Sequence, residues 1–252
     1  MVQALGRKPT KLRLLLSGIA ALAALGAAVA SSADPIAPPS LTVNGWSPSL
    51  TLLGCVSAGS TGQESCSGTN ISPGSNNYTL TNWNVYLDPD PTVTGTLGIQ
   101  NNNLVSAQTF NVTFLLPIVA QGPQVQVIGS ISGSVTDANG NGATLTNFAP
   151  TSIYQAKIDG LTVQTLLNDP QSFSAGSFGS TPWGPGNFGP TTLNQAANTS
   201  IAINVIFTLS PGDLASFTSV FNVVAIPEPA TLVMLSGGLV GLVALGRRYP
   251  RS

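Results

Sequence analysis

The sequence predicts an all-β fold, an antiparallel β-sandwich of jelly-roll or Ig-like type. Two observations predict the sandwich. Apolar residues alternate with polar ones along several segments of the central chain, and clusters of Gly, Pro, Asn and Asp separate these segments. A third observation is an apolar run beside basic residues at each end of the chain. It predicts that an N-terminal signal peptide and a single C-terminal transmembrane helix flank the sandwich.

Residues 1–30 are typical of a signal peptide. Four basic residues precede an apolar run over residues 14–29, and the run is rich in alanine. Ala28 and Ala30 occupy the two small positions of a cleavage site, with a second candidate site at residues 31–33. We therefore expect the chain to be exported and the mature protein to begin near residue 31.

Residues 31–226 predict one sandwich domain, because the length suits a single core and the polarity alternates with a period of two. The clearest segment is Ile201–Leu209, in which Asn204 and Thr208 lie between apolar residues. Such alternation is typical of strands with one buried face. The predicted inward residues are Trp83, Val85, Leu87, Phe110, Val112, Phe114, Leu116, Ile201, Ile203, Val205, Phe207 and Leu209.

Turn signals lie between the predicted strands. Asp159-Gly160 separates the segments 154–158 and 161–165, and Asp-Gly readily adopts the positive φ angles of a type I′ hairpin turn. Two further turns are predicted, one at 137–142 as a hairpin joining 124–136 to 143–147, and one at 211–213 leading from 201–209 into 215–224.

Cys55 and Cys66 are the two cysteines of the chain, and a short polar loop separates them. In an exported protein such a pair is typical of a disulfide, because disulfides persist outside the reducing cytosol. A catalytic thiolate would need a base such as histidine, and the sequence contains none. We therefore predict a structural disulfide.

The charge of the body excludes several functions. Lys157 stands against eight acidic residues between Ser31 and Ile226, which gives a net charge of −7. Without a basic patch the body is not expected to bind nucleic acid. Without histidine, a Ser-His-Asp triad and most transition-metal sites are excluded as well.

Carboxylate chemistry is the catalytic class that remains. Asp88 and Asp90 alternate with two prolines, and a pair of acids is what a glycosidase uses. Acids two residues apart around prolines are more typical of a turn between two strands. We therefore expect a protein that is not an enzyme.

Residues 137–142 match the first half of a calcium loop. Asp137, Asn139 and Asn141 alternate with small residues ahead of a glycine bend. The position that requires a bidentate glutamate holds Phe148, so a simple Asn-Gly turn is the favoured interpretation. Calcium stays the minority hypothesis, and we expect no cofactor.

Residues 170–190 read as an irregular loop that is rich in Gly, Pro and Ser. Trp183, Phe178 and Phe188 on this loop are candidate glycan contacts, because aromatic faces stack on sugar rings. The alternative is that the loop folds back and its aromatic side chains cover a sheet. The second interpretation is favoured.

The last 26 residues have three parts in order. Pro227, Glu228 and Pro229 form a rigid segment that disfavours helix and should be accessible to a protease. The apolar residues 230–246 would span roughly 25 Å as a helix, the short end of what crosses a bilayer. The basic residues that follow hold this end in the cytoplasm by the positive-inside rule, and they are Arg247, Arg248 and Arg251.

This order of motif, helix and basic end resembles the PEP-CTERM sorting signal of exported bacterial proteins. Pro227, Glu228 and Pro229 match its signature, residues 230–232 match its usual continuation, and Arg247-Arg248 match its basic stop. Tyr249-Pro250 departs from the unbroken arginine run that is often found there. The body is only loosely similar to the β-rich domains that precede such tails.

The resemblance implies a location and a processing partner. It implies export across the inner membrane of a Gram-negative bacterium, with the C-terminal helix as a temporary membrane anchor. An exosortase embedded in the membrane would then cut near Pro-Glu-Pro. The processed protein would be found at the cell surface or outside the cell, associated with exopolysaccharide or biofilm.

Two classes of function remain open at this point. The first is a non-catalytic protein of the cell surface or extracellular matrix. The second is a secreted enzyme that acts on carbohydrates through carboxylates alone. Binding to the host's exopolysaccharide, compared with its cleavage, would separate the two.

Overall fold

The structure is a computed structural model, and it describes residues 38–58, 62–74, 77–227 and 236–239. The predicted all-β sandwich is confirmed: two sheets of seven strands each pack face to face, and their described strand pairs are antiparallel. Sheet I contains β1 (Ser40–Val43), β6 (Gln108–Pro117), β8 (Ala143–Thr146), β9 (Tyr154–Ile158), β10 (Leu161–Leu166), β11 (Ser172–Ala175) and β13 (Ser200–Leu209). Sheet II contains β2 (Cys55–Ser57), β3 (Glu64–Ile71), β4 (Tyr78–Asp88), β5 (Thr92–Asn101), β7 (Val125–Thr136), β12 (Ser180–Leu193) and β14 (Leu214–Ala225).

The order of strands is simple in sheet II and branched in sheet I. Sheet II runs β12-β7-β14-β5-β4-β3-β2. In sheet I the order begins β1-β6-β13. The edge of β13 that faces away from β6 pairs with β9 along its first half and with β8 near its end. β10 and β11 complete the sheet beyond β9 and β8.

The core lies between the sheets and consists of the residues that the alternation predicts. All twelve predicted inward side chains are buried, and the five of β13 are fully so. Aromatic rings meet at the centre, where Phe217 of sheet II lies 6.4 Å from Phe114 and 6.2 Å from Phe207 of sheet I, measured between ring centroids. Edge-to-face contacts of this kind favour one packing arrangement over others.

The hairpin at Asp159-Gly160 is confirmed. Asp159 has φ 51° and Gly160 has φ 80°, the left-handed values that a type I′ turn requires. Ile158 pairs directly with Leu161 across the turn. The twist of a type I′ turn matches that of the strands on either side, and β9 and β10 therefore pair as neighbours in the sheet.

The predicted hairpin at residues 137–142 is wrong. Its two strands exist, but β7 lies in sheet II and β8 lies in sheet I, so the turn carries the chain from one sheet to the other. The turn at residues 211–213 is present, and it also crosses between sheets, from β13 to β14. Turn residues reverse the chain, but they do not determine which sheet receives the next strand.

The prediction of an irregular loop over residues 170–190 is also wrong, because most of it is strand. β11 covers Ser172–Ala175, and β12 begins at Ser180 and pairs with β7 along its length. Two register shifts take up Gly184-Pro185 and Gly189-Pro190 as bulges. Prolines are tolerated here because β12 is the edge strand of sheet II and needs donors on one side only.

Both ends of the described sandwich lie at the same end of the molecule, which we call the terminal end. Pro38 and Pro39 lie beside Pro117, where β6 ends, and β14 ends at Ala225 beside Val125, where β7 begins. The turns 89–91 and 159–160 lie at this end as well.

Residues 236–239 are helical, and no described helix is long and apolar enough to cross a membrane.

Candidate functional site

The chain leaves the sandwich immediately after its last strand. The N–H of Ile226 donates to the carbonyl of Gln124 at 2.9 Å, and in the described part of the chain no later residue makes a backbone hydrogen bond to the body. The next residue, Pro227, is exposed. The first residue of the predicted sorting motif is therefore accessible two residues beyond the end of β14.

The remaining predicted sorting and cleavage residues lie outside the described residues. They are Ala28, Ala30, Glu228, Pro229, Arg247, Arg248 and Arg251.

A groove lies beside this exit. It has a volume of about 370 Å³, and Asp90, Pro91, Gln121 and the last four residues of β14 line it. The groove forms because β5 begins at Thr92. The N–H of Val223 still donates to the carbonyl of Pro91, and beyond it the last residues of β14 have no strand partner on that side. The groove leaves room around the backbone that leads into the motif.

Trp183 lies in the core. Its side chain is 1% exposed, and its ring stacks against Phe173 of sheet I at 6.0 Å between centroids. The indole lies over Gly133, where an added Cβ would come within 2.3 Å of Cζ2 of Trp183. No face of the ring is open to a sugar, which favours the interpretation that this aromatic covers a sheet.

Phe188 and Phe178 also lie over glycines, but both side chains are less buried than that of Trp183. Phe188 is partly buried over Gly129, and Phe178 lies over Gly140 although 75% of its side chain is exposed. A Cβ at Gly129 would lie 2.5 Å from the ring of Phe188, and one at Gly140 would lie 2.4 Å from that of Phe178. Of the three candidate glycan contacts, Phe178 is the one with an exposed ring.

Asp137 is the centre of a hydrogen-bonded turn. One carboxylate oxygen accepts the N–H groups of Asn139 and Gly140, and the other accepts those of Gly142 and Phe178. Desolvation raises the pKa of Asp137, but these four donors outweigh it and lower the pKa to about 2.

The candidate calcium loop is therefore organised around N–H donors. Asn139 accepts the N–H of Asn141 through its side-chain oxygen and donates to the carbonyl of Pro211. A calcium ion would need these oxygens turned toward a common centre. The observed arrangement is that of an Asx turn, which supports the Asn-Gly turn favoured from the sequence.

Asp213 is a residue whose role the sequence did not indicate. Its side chain is fully buried, accepts hydrogen bonds from the N–H of Ala138 and the hydroxyl of Ser210, and contacts the carboxyl group of Asp137. Burial raises the pKa of Asp213, and the neighbouring charge of Asp137 raises it further. The two carboxyl groups thus join the two turns that cross between the sheets.

Asp88 is the last residue of β4 and Asp90 lies in the turn to β5, so the two acids flank the chain reversal that the turn interpretation predicts. The carboxylate of Asp88 accepts hydrogen bonds from the amide of Gln63, the hydroxyl of Tyr86 and the N–H of Asp90. These contacts give Asp88 a structural role at the end of the hairpin.

The disulfide between Cys55 and Cys66 is confirmed. The two residues lie directly opposite each other on β2 and β3, and their Cα atoms are 3.8 Å apart. The bond ties the short edge strand of sheet II to its neighbour.

Comparison with known proteins adds nothing to this geometry, since no family model and no curated protein matches the chain.

Proposed function

We propose that the chain is an exported, non-catalytic protein of the bacterial cell surface or extracellular matrix, sorted through its PEP-CTERM tail. In this proposal residues 1–30 direct export and residues 227–252 hold the protein in the membrane until an exosortase cuts near Pro227. The released sandwich then associates with exopolysaccharide or biofilm.

One observation carries the proposal: the motif begins at an exposed residue directly after the last strand. A membrane-embedded protease needs backbone that is free of a sheet, and Pro227 is free while Ala225 is still paired with Val125. The groove lies beside the four residues of β14 that precede this exit. Cleavage near the motif would therefore remove the tail and leave every described strand intact.

The alternative, a secreted carbohydrate-active enzyme that uses carboxylates, has less support. The carboxylate of Asp88 accepts three hydrogen bonds at the end of β4, and that of Asp137 accepts four in a turn. Asp213 is fully buried. A glycosidase needs two carboxyl groups that face a common substrate cleft, and these acids instead hold turns together.

The test uses a control that the chain itself provides. Asp90 lies between Pro89 and Pro91, so it repeats the proline-acid-proline order of the motif within a hairpin at the same end of the molecule. We expect Glu228→Ala in the full chain, expressed in the native host, to leave the protein uncut in the membrane fraction. Asp90→Ala should be trimmed and released like the wild type.

The readout is the apparent mass and the cell fraction of each variant by immunoblot. Equal trimming of the Glu228→Ala and wild-type proteins would contradict the proposal. Hydrolysis of the host's exopolysaccharide by the wild type, lost in Asp88→Asn, would favour the enzyme instead.

A further inference from the structure

The outer face of sheet II carries two aligned rows of small residues, and nine of the ten have polar side chains. The first row crosses five strands, and strand pairing places each residue opposite the next. A row of five strands spans about 19 Å at the ~4.8 Å spacing of neighbouring strands. The first row is Ser132, Thr218, Thr96, Asn84 and Ser67, and the second is Ser134, Ser216, Gly98, Asn82 and Thr69.

These two rows, which we call the hydroxyl face, carry no charged side chain although the body has a net charge of −7. Thr96 and Thr218 share one hydrogen bond of 2.9 Å between their hydroxyls. Among the described residues, Ser132, Ser134 and Ser216 have no protein partner for their hydroxyls. The face thus offers free donors and acceptors without a formal charge.

A depression of about 350 Å³ lies at the β12 side of the hydroxyl face. Ser132, Ser134, Ser216 and Thr218 line it together with the edge-strand prolines Pro182 and Pro185. The lining of the depression therefore combines hydroxyls with apolar proline rings. A pyranose ring has the same two characters, with hydroxyls around its edge and C–H groups on its faces.

We propose that the hydroxyl face binds a neutral polysaccharide chain, with the depression as one sugar subsite. Ser, Thr and Asn side chains each donate and accept, which matches sugar hydroxyls that do the same. The proposal rests on the proposed function and adds both the surface and the class of glycan.

The charge distribution selects a neutral glycan over an acidic one. A polyuronate would approach a body that is negative overall and would find no cation on the hydroxyl face to offset the repulsion. The outer face of sheet I is less suited to a sugar chain, because the apolar side chains of Leu115 and Ile206 are partly exposed there and the same sheet carries the charged Lys157. Each hydrogen bond to a sugar replaces one to water, so a single domain binds weakly and many copies bind by avidity.

The test expresses the full chain in the native host, purifies the protein as the host processes it, and measures its retention in native gels that contain a soluble polymer. The neutral polymers are hydroxyethylcellulose and galactomannan, and the acidic polymer is alginate. The variant is Thr218→Glu, which places a charge at an exposed position of the hydroxyl face that also lines the depression. The matched control is Thr162→Glu, because Thr162 is an exposed strand threonine of sheet I.

We expect a neutral polymer to retard the wild type and Thr162→Glu equally. Thr218→Glu should bind roughly five-fold more weakly, the effect of losing one hydrogen-bonding site, and Thr218→Ser should bind like the wild type. Retention by alginate alone, retention by no polymer, or equal retention of Thr218→Glu and wild type would each overturn the assignment.

The two proposals fail separately. A chain that is trimmed and released but not retained would leave the sorting proposal intact and remove the hydroxyl face. A chain that is retained but never trimmed would do the reverse.

Discussion

Glycines and aromatic side chains occupy neighbouring positions across sheet II. Gly133 lies between Trp183 and Phe217 in one row, and Gly129 lies between Phe188 and Phe221 in another. The two rings of each row meet over the glycine, at centroid distances of 6.5 Å and 6.3 Å. A strand glycine that lets an aromatic ring cross the backbone is a known stabilising device. The glycines inside β7 were the sequence signal for it.

Trp183→Ala should destabilise the protein by about 3 to 5 kcal/mol, the usual cost of truncating a fully buried large aromatic. Phe178→Ala is the control, because that ring is 75% exposed and its loss should cost less than about 1 kcal/mol. Chemical denaturation measures both. A Trp183→Ala protein as stable as the control would show that the indole is not part of the core.

Asp137 and Asp213 touch, yet we expect their amide variants to behave in opposite ways. Asp137→Asn should lower the melting temperature, because the ionised carboxylate accepts four N–H donors. Asp213→Asn should leave it unchanged or raise it at neutral pH, because burial and Asp137 already oppose the charge of Asp213. Thermal melts at pH 7 test the pair, and equal losses in both variants would refute the assignment.

Asp159 makes the stability of the fold depend on pH, because its pKa is lowered in the folded protein. Desolvation raises its pKa, but hydrogen bonds from Asn198, Thr199 and Ser200 lower it to about 2. The depressed pKa means that its contribution is present above the unfolded value near 3.9 and is lost as the pH falls toward 2. Melting temperatures of wild type and Asp159→Asn should differ at pH 5 and converge near pH 2. A constant difference over that range would contradict this account.

At the scale of elements, the disulfide holds the shortest strand of sheet II to the rest of the sheet. β2 has three residues and forms the edge of sheet II, and Cys55 joins it to Cys66 on β3. Peptide mapping without reduction should recover the two cysteines joined, and the double serine variant should lose up to about 3 kcal/mol. Free thiols in protein taken from its native compartment would contradict the prediction.

The sequence was sufficient for elements whose signal is local. Alternation located β13, and the Asp-Gly pair gave the β9–β10 turn, because each depends on a few adjacent residues. The sheet that β8 joins could not be predicted from adjacent residues. Residues 137–142 show that the chain turns, but packing decides which sheet β8 joins. β12 was missed because Pro182, Pro185 and Pro190 argue against a strand unless its edge position is known.

The candidate functional residues also divide into those that adjacent residues reveal and those that only the strand order reveals. The proposed sorting motif is a contiguous pattern, so its residues can be named from the sequence alone. The contact between Asp137 and Asp213 joins positions 76 residues apart, and the hydroxyl face joins five strands. Neither can be read before the strand order is known.

At the scale of the whole molecule, both ends of the described body emerge together. A chain held by its C-terminal tail would therefore stand with the terminal end toward the anchor. The turns that contain Asp137 and Asp213 lie at the far end of β14, which spans about 40 Å over its 12 residues. The hydroxyl face lies on the outer side of sheet II, between the terminal end and the turns that contain Asp137 and Asp213.

The most direct test of the sorting account is the intact mass of the protein isolated from its native host. We predict a mature form that has lost about 30 to 33 N-terminal residues, as the signal-peptide layout requires. The same form should lack everything beyond the Pro-Glu-Pro segment while keeping the sandwich through Ala225. A mature form that still carries Arg247 and Arg248 would contradict the account.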